Sequence, residues 1–183
     1  MDALDLLLNR RSNGRLKEPA PDAKSLQNIL DAALRVPDHA GLTPWRFIVC
    51  TGEGLDRLGS LFQEAARYHE MSQADIERAS SLPTRAPMVI IAIMTYSEHP
   101  KVPRVEQIAS AACTVQAMQM TAVAQSFSGI WRTGVYAQSE FVKQSLGLNQ
   151  DDEILGFLYL GTPVSSLPEK TGKNHDGYVE YWR

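Results

Sequence analysis

The residues best suited to chemistry in this chain are arginines set in loops. Asn9-Arg10-Arg11-Ser12-Asn13-Gly14 places two guanidinium groups and a hydroxyl where a short apolar segment, Asp2–Asn9, gives way to an Asn-Gly turn. Arginine forks match phosphate oxygens two at a time, and a serine hydroxyl adds a donor, so this run could clamp a phosphate. It also has a plainer use, because cations favour a helix C-terminus by roughly a few tenths of a kcal/mol each. Taken alone, the plainer use weighs more. A second loop, from Arg35-Val36-Pro37-Asp38-His39 to Thr43-Pro44-Trp45, sets Arg, His and Trp among two prolines and a glycine that rule out regular structure. Such a loop suits a ligand site, and a hydrogen-bonded structural role for His39 stands equally open.

Many chemistries lack their residues. No Gly-x-Gly-x-x-Gly follows a strand, and neither a P-loop nor a Gly-x-Ser-x-Gly elbow is present. His69-Glu70 lacks the second histidine of a zincin helix, and His69, His99 and His175 read as surface histidines. No metal site is expected. Cys50 and Cys113 lie far apart, which predicts reduced thiols and no zinc cluster. A net charge of −3 and a pI near 5.8 supply no field for nucleic acid or an anionic membrane. The acidic start, Met1-Asp2-Ala3-Leu4-Asp5, is unlike a secretory signal, so a cytoplasmic location is expected.

The elements that must position these loops are legible in outline. At 183 residues the chain fits a single domain. Gln107–Trp131 runs twenty-five residues without a charge in a chain that is 21% charged. Its Ser110, Thr114, Gln116 and Gln119 argue against a membrane span, which leaves a buried helix from about Arg104 to Phe127. Other helices are expected at Ala23–Val36, Glu53–Glu70, Gln73–Ser81 and Gln138–Leu146. Strands are expected at Arg46–Cys50, Pro87–Met94, Ser128–Gly134 and Glu153–Leu160; the apolar runs PMVIIAIM and EILGFLYL read as buried on both faces. The mixed order gives an α+β or three-layer α/β/α fold. The polar tail, 164–183, ends in Tyr178-Val179-Glu180-Tyr181-Trp182, whose period of two suits an added edge strand, with a partner subunit as one docking place.

Composition and spacing stop there. Taken in register, however, Asn9-Arg10-Arg11-Ser12, Arg35-Val36-Pro37-Asp38-His39 with Pro44-Trp45, Val102–Gln107, Gly129-Ile130-Trp131-Arg132-Thr133-Gly134 and Gly156–Pro163 closely resemble the nitroreductase superfamily, in particular its small YdjA-type members. The likeness runs from Met1 to about Pro163. It implies a nitroreductase-like α+β fold, a central, mostly antiparallel sheet flanked by helices. It also implies an intertwined homodimer with two interfacial sites for FMN and C-terminal segments embracing the partner. By this resemblance Arg10, Arg11 and Ser12 hold the flavin phosphate and ribityl end, and Trp131, Arg132 and Thr133 add contacts from the strand after the long helix. Arg35 and His39 reach the same cofactor from the other subunit, with Pro44 and Trp45 walling it. The resemblance also points to Ala122, Val123, Ala124 and Gln125 as nicotinamide contacts, with plain packing the weightier alternative. The implied enzyme is an oxidoreductase that takes a hydride from NAD(P)H and passes electrons to a nitroaromatic or quinone-like acceptor, by ping-pong alternation. The flavin does the chemistry, so no protein acid, base or nucleophile is required.

Two departures stand out. The next arginine after Ser12 is Arg15, three residues on rather than two, and serines occupy positions 126 and 128 where glycine is common. The alternatives are a specialised member of the superfamily, such as a dehalogenase or flavin-consuming enzyme, and a non-catalytic flavin-binding redox dimer.

Overall fold

In the fully buried strand β3 (Met88–Met94), alternate side chains serve two separate cores. This is seen in a computed structural model that describes residues 2–165, 167, 168, 172 and 174–183. β3 lies between β2 (Trp45–Thr51) and β5 (Glu153–Pro163), antiparallel to both. The other edge of β5 takes β4 (Ser128–Arg132) over Phe157–Gly161 and a two-residue strand, β1 (Leu16–Lys17), over Thr162–Pro163. Every pairing is antiparallel.

Helices cover both faces. α2 (Ala23–Ala33) and α5 (Arg104–Ala124) pack over Met88, Ile90, Ala92, Leu158 and Leu160. α3 (Glu53–Tyr68), α4 (Gln73–Ala79) and α6 (Glu140–Ser145) close the opposite face over Val89, Ile91, Ile93, Phe157 and Tyr159. Phe62 stacks on Tyr136 at 4.2 Å and meets Phe157 edge-on at 4.9 Å. The expected three-layer α/β/α arrangement is present.

Several helices stop earlier than apolar spacing predicts, for local reasons. α2 ends at Ala33 rather than Val36: Leu34 shares its amide between Leu30 and Asp31, and Pro37 disfavours helical backbone before it. α5 ends at Ala124 rather than Phe127. There Ser126 adopts φ +69, and Phe127 and Ser126 donate to the carbonyls of Ala122 and Val123. This is a Schellman stop, which favours glycine at the left-handed position that Ser126 fills.

The ends of the chain behave differently from its middle. α1 (Ala3–Asn9), capped by the Asp2 carboxylate, buries no residue, and Leu4, Leu7 and Leu8 all face solvent. The strand expected at Tyr178–Trp182 is not formed. Among the described residues the segment pairs with no strand, and Trp182 is 89% exposed. A strand needs a partner edge, and Tyr178–Trp182 meets none among those residues.

Candidate functional site

The arginine loop after α1 is pinned to β4 through its backbone. Asn13 donates its amide to the Gly129 carbonyl at 2.9 Å, and its own side-chain oxygen accepts the Arg15 amide at 3.0 Å. From α5, the Gln119 amide group donates to the same Gly129 carbonyl at 2.8 Å while its oxygen receives Arg10 at 3.4 Å. A buried glutamine thus holds loop and strand in one register. Ser12 is exposed, and Arg11 donates to the Pro168 carbonyl. Gly14 lies against Arg132: a Cβ there would stand 2.9 Å from the guanidinium. The structure therefore sets two of the four stretches singled out by sequence, residues 10–12 and 131–133, on one loop and strand joined through Asn13, Gly14 and Gly129.

Trp131 owes its placement to Gly156. That glycine adopts φ +138, and a Cβ on it would meet the indole nitrogen at 2.4 Å. The opening lets the indole N–H donate to the Leu155 carbonyl at 2.9 Å while the ring stays 36% exposed. Arg132 points to the other face of the sheet, its guanidinium 5.7 Å from the centroid of Tyr159. Trp131, Arg132, Thr133 and Gly134 line a cavity of about 480 Å³ between β4 and the turn Pro83–Arg85. Burial pushes the Tyr159 phenol up, against opposing influence from Arg132 and Arg85.

His39 lies at the far end of α5, and Arg35 is exposed just after α2, its amide donating to the Ala32 carbonyl. His39 Nδ1 sits 2.7 Å from Glu106 Oε2 in the first turn of α5, whereas Arg10 meets that helix at Gln119. Thirteen residues of helix separate the two points, or roughly 20 Å at ~1.5 Å per residue. Within one chain Arg10 and His39 thus meet α5 at well-separated points. The loop holding His39 is stiff. Ala40 and Thr43 take left-handed backbone at φ 62 and 47. Asp38 accepts the Leu42 and Thr43 amides, and Ser110 donates to the Pro37 carbonyl. Non-glycine residues held in such conformations are over-determined by their surroundings, as at many ligand sites. Glu106 was not assigned this role from sequence, because it lies 67 residues from His39.

Of the residues from 122 to 125, Ala122 is sealed in the α2–α5 core, which leaves it no surface for a ligand. Gln125 bonds to Asn28, Ser25 and Thr121, which ties α5 to α2. Only Ala124 is exposed. His69, read as a surface histidine, bonds through Nε2 to the buried Ser139 hydroxyl at 2.7 Å and so braces the cap of α6. A larger cavity, about 550 Å³, lies between β2, α3 and α6 beside Cys50 and Arg57, and contains none of the residues singled out. Among the described residues no group of three or more His, Cys, Asp or Glu could hold a metal. No described helix is long and apolar enough to cross a membrane.

Comparison with known proteins bears on the family and the fold. The nitroreductase family model matches residues 7–162. The chain is 49% identical over 163 residues to Escherichia coli "Putative NAD(P)H nitroreductase YdjA", covering 89% of each chain. It is 36% identical to a Haemophilus influenzae protein named in the same way, over 88% of this chain and 89% of that one. A nitroreductase-like family protein from Bacillus cereus superposes with a TM-score of 0.85 at 20% identity, covering 100% of this chain and 96% of that one. An FMN-dependent nitroreductase from Clostridium difficile gives 0.70 at 18%, covering 97% and 98%. The shared motifs, the fold and these matches make the chain a member of the nitroreductase family.

Proposed function

We propose that the protein is an FMN-dependent oxidoreductase. It takes a hydride from NAD(P)H and passes the electrons to nitroaromatic or quinone-like acceptors, working as a homodimer with two sites shared between subunits. The chemistry of the donor set fits the cofactor. Arg10, Arg11 and Ser12 offer charge and hydroxyl donors for a phosphate, and Trp131 presents an exposed aromatic face beside Arg132 and Thr133.

The observation that carries the shared site is the separation of the two clusters along α5. Arg10 and His39 contact α5 at points roughly 20 Å apart, yet the resemblance assigns both to one cofactor. A two-fold axis beside that helix would bring one protomer's Arg10 cluster to its partner's Arg35 and His39. The outward stripe of α5 supports this. Val105, Ala109, Cys113, Gln116 and Ala124 are exposed, and no charge interrupts the stripe beyond the first turn. The exposed leucines of α1 and the aromatics of the tail supply more apolar surface of the kind an obligate interface buries.

The test is direct. Purified protein, or apoprotein given FMN, should be yellow, elute as a dimer and oxidise NADH or NADPH when a nitroaromatic acceptor is supplied. Colourless protein that refuses FMN ends this reading.

A further inference from the structure

We propose that Arg85, together with Arg132, forms a second cationic wall of the flavin site that favours the reduced, negatively charged cofactor. The proposal rests on the flavin reading above. Arg85 closes the short turn Pro83–Arg85 before β3, and Arg132 closes β4. Both line the cavity of about 480 Å³ whose other walls include Tyr136, Phe157 and Tyr159. No carboxylate lines it. Among the described residues neither guanidinium donates a hydrogen bond or forms an ion pair, apart from the Arg132 contact with the Tyr159 ring. Tyr136 and Tyr159, both largely buried, set their phenols on its inner wall with no hydrogen-bond partner among the described residues.

The charged side chains among the described lining are therefore cations alone, beside the hydroxyls of Thr133, Tyr136 and Tyr159. Two guanidinium groups on one cavity, with no carboxylate among its described lining residues, raise its positive potential, which an electron-rich ligand relieves. The cavity is lined by Trp131, Arg132 and Thr133, the stretch assigned to the cofactor. A flavin that accepts a hydride from NAD(P)H, releasing NAD(P)⁺, gains two electrons, one proton and one net negative charge. Cations at its edge bind that form more tightly than the neutral one. Arg85 is exposed at the rim, so its removal leaves the core of the fold untouched.

The experiment measures FMN affinity of the apoprotein by fluorescence quenching and the midpoint potential of the bound flavin, for wild type, Arg85→Ala, Arg85→Gln and Arg85→Lys. Arg85→Ala and Arg85→Gln should weaken binding of oxidised FMN by about 3-fold and of reduced FMN by about ten times more. For a two-electron couple that tenfold difference lowers the potential by ~30 mV. Arg85→Lys should restore more than half of the shift, because the charge is kept. Unchanged affinity and potential in both neutral variants overturn the proposal, as does a loss confined to NADPH affinity. A wild-type apoprotein that binds no FMN overturns the flavin reading itself, which separates the two failures.

Discussion

α3 and α5 flank the same sheet on opposite faces, and their outer surfaces follow different rules. The solvent side of α3 carries Glu53, Asp56, Arg57, Glu64 and Arg67, as a helix facing water should. The solvent side of α5 carries Val105, Ala109, Cys113, Gln116 and Ala124. Its inner side, with Ala111, Val115, Met118 and Ala122, is sealed against the sheet. An absence of charge on α5 thus has two causes: its own core on one side and, on the proposed reading, a second copy of the chain on the other.

Substituting each side of α5 in turn separates those causes. Val115→Lys places a charge in a fully buried position, an uncompensated penalty of several kcal/mol, and should abolish cooperative unfolding. Gln116→Lys, one residue on, should leave the protomer's stability within about 0.5 kcal/mol while raising the dimer dissociation constant at least tenfold by sedimentation. Equal effects from the two would remove the distinction. On the α3 side, Phe62→Ala removes the ring packed between Tyr136 and Phe157 and should cost about 3–5 kcal/mol in denaturant unfolding.

A smaller effect is expected where α5 stops. Ser126→Gly relieves left-handed backbone at φ +69 and should stabilise the chain by roughly 1 kcal/mol in thermal unfolding. The smallest concerns Tyr159, whose phenol is held above its ordinary value of 10.0 by burial. A raised folded value favours the protonated form, so this contribution is present below pH 10.0 and is lost as pH rises past it toward the folded value. Phenolate absorbance should show Tyr159 titrating late, and Arg132→Ala should delay it further because that cation opposes the shift. A Tyr159→Phe control identifies the signal.

How far the sequence revealed this depends on which forces act locally. The run Pro87–Met94 announces β3 because burial on both faces leaves no polar position, and the uncharged stretch announces α5. β1 was not legible: two residues with no pattern pair with Thr162 and Pro163 only because the tertiary fold brings them there. The alternation in Tyr178–Trp182 was legible, yet it forms no strand, since pattern alone provides no partner edge. Of the proposed site, Arg10, Arg11 and Arg132 stand in motifs that the sequence displays. Arg85 belongs to none, and only its position across the cavity from Arg132 marks it. For Ala122 the weightier of its two readings was plain packing, and helical phase does turn that side chain into the core.

The shared site can be tested by mixing subunits. An Arg10→Ala/Arg11→Ala protein and an Arg35→Ala/His39→Ala protein should each bind FMN weakly. If each site takes Arg10 and Arg11 from one protomer and Arg35 and His39 from its partner, the mixed dimer contains one fully native site and one doubly altered site. Unfolding and refolding the two proteins together should therefore restore tight FMN binding to about a quarter of all sites, as random pairing of two subunits predicts. Restoration of none would place each site within a single chain and contradict the account.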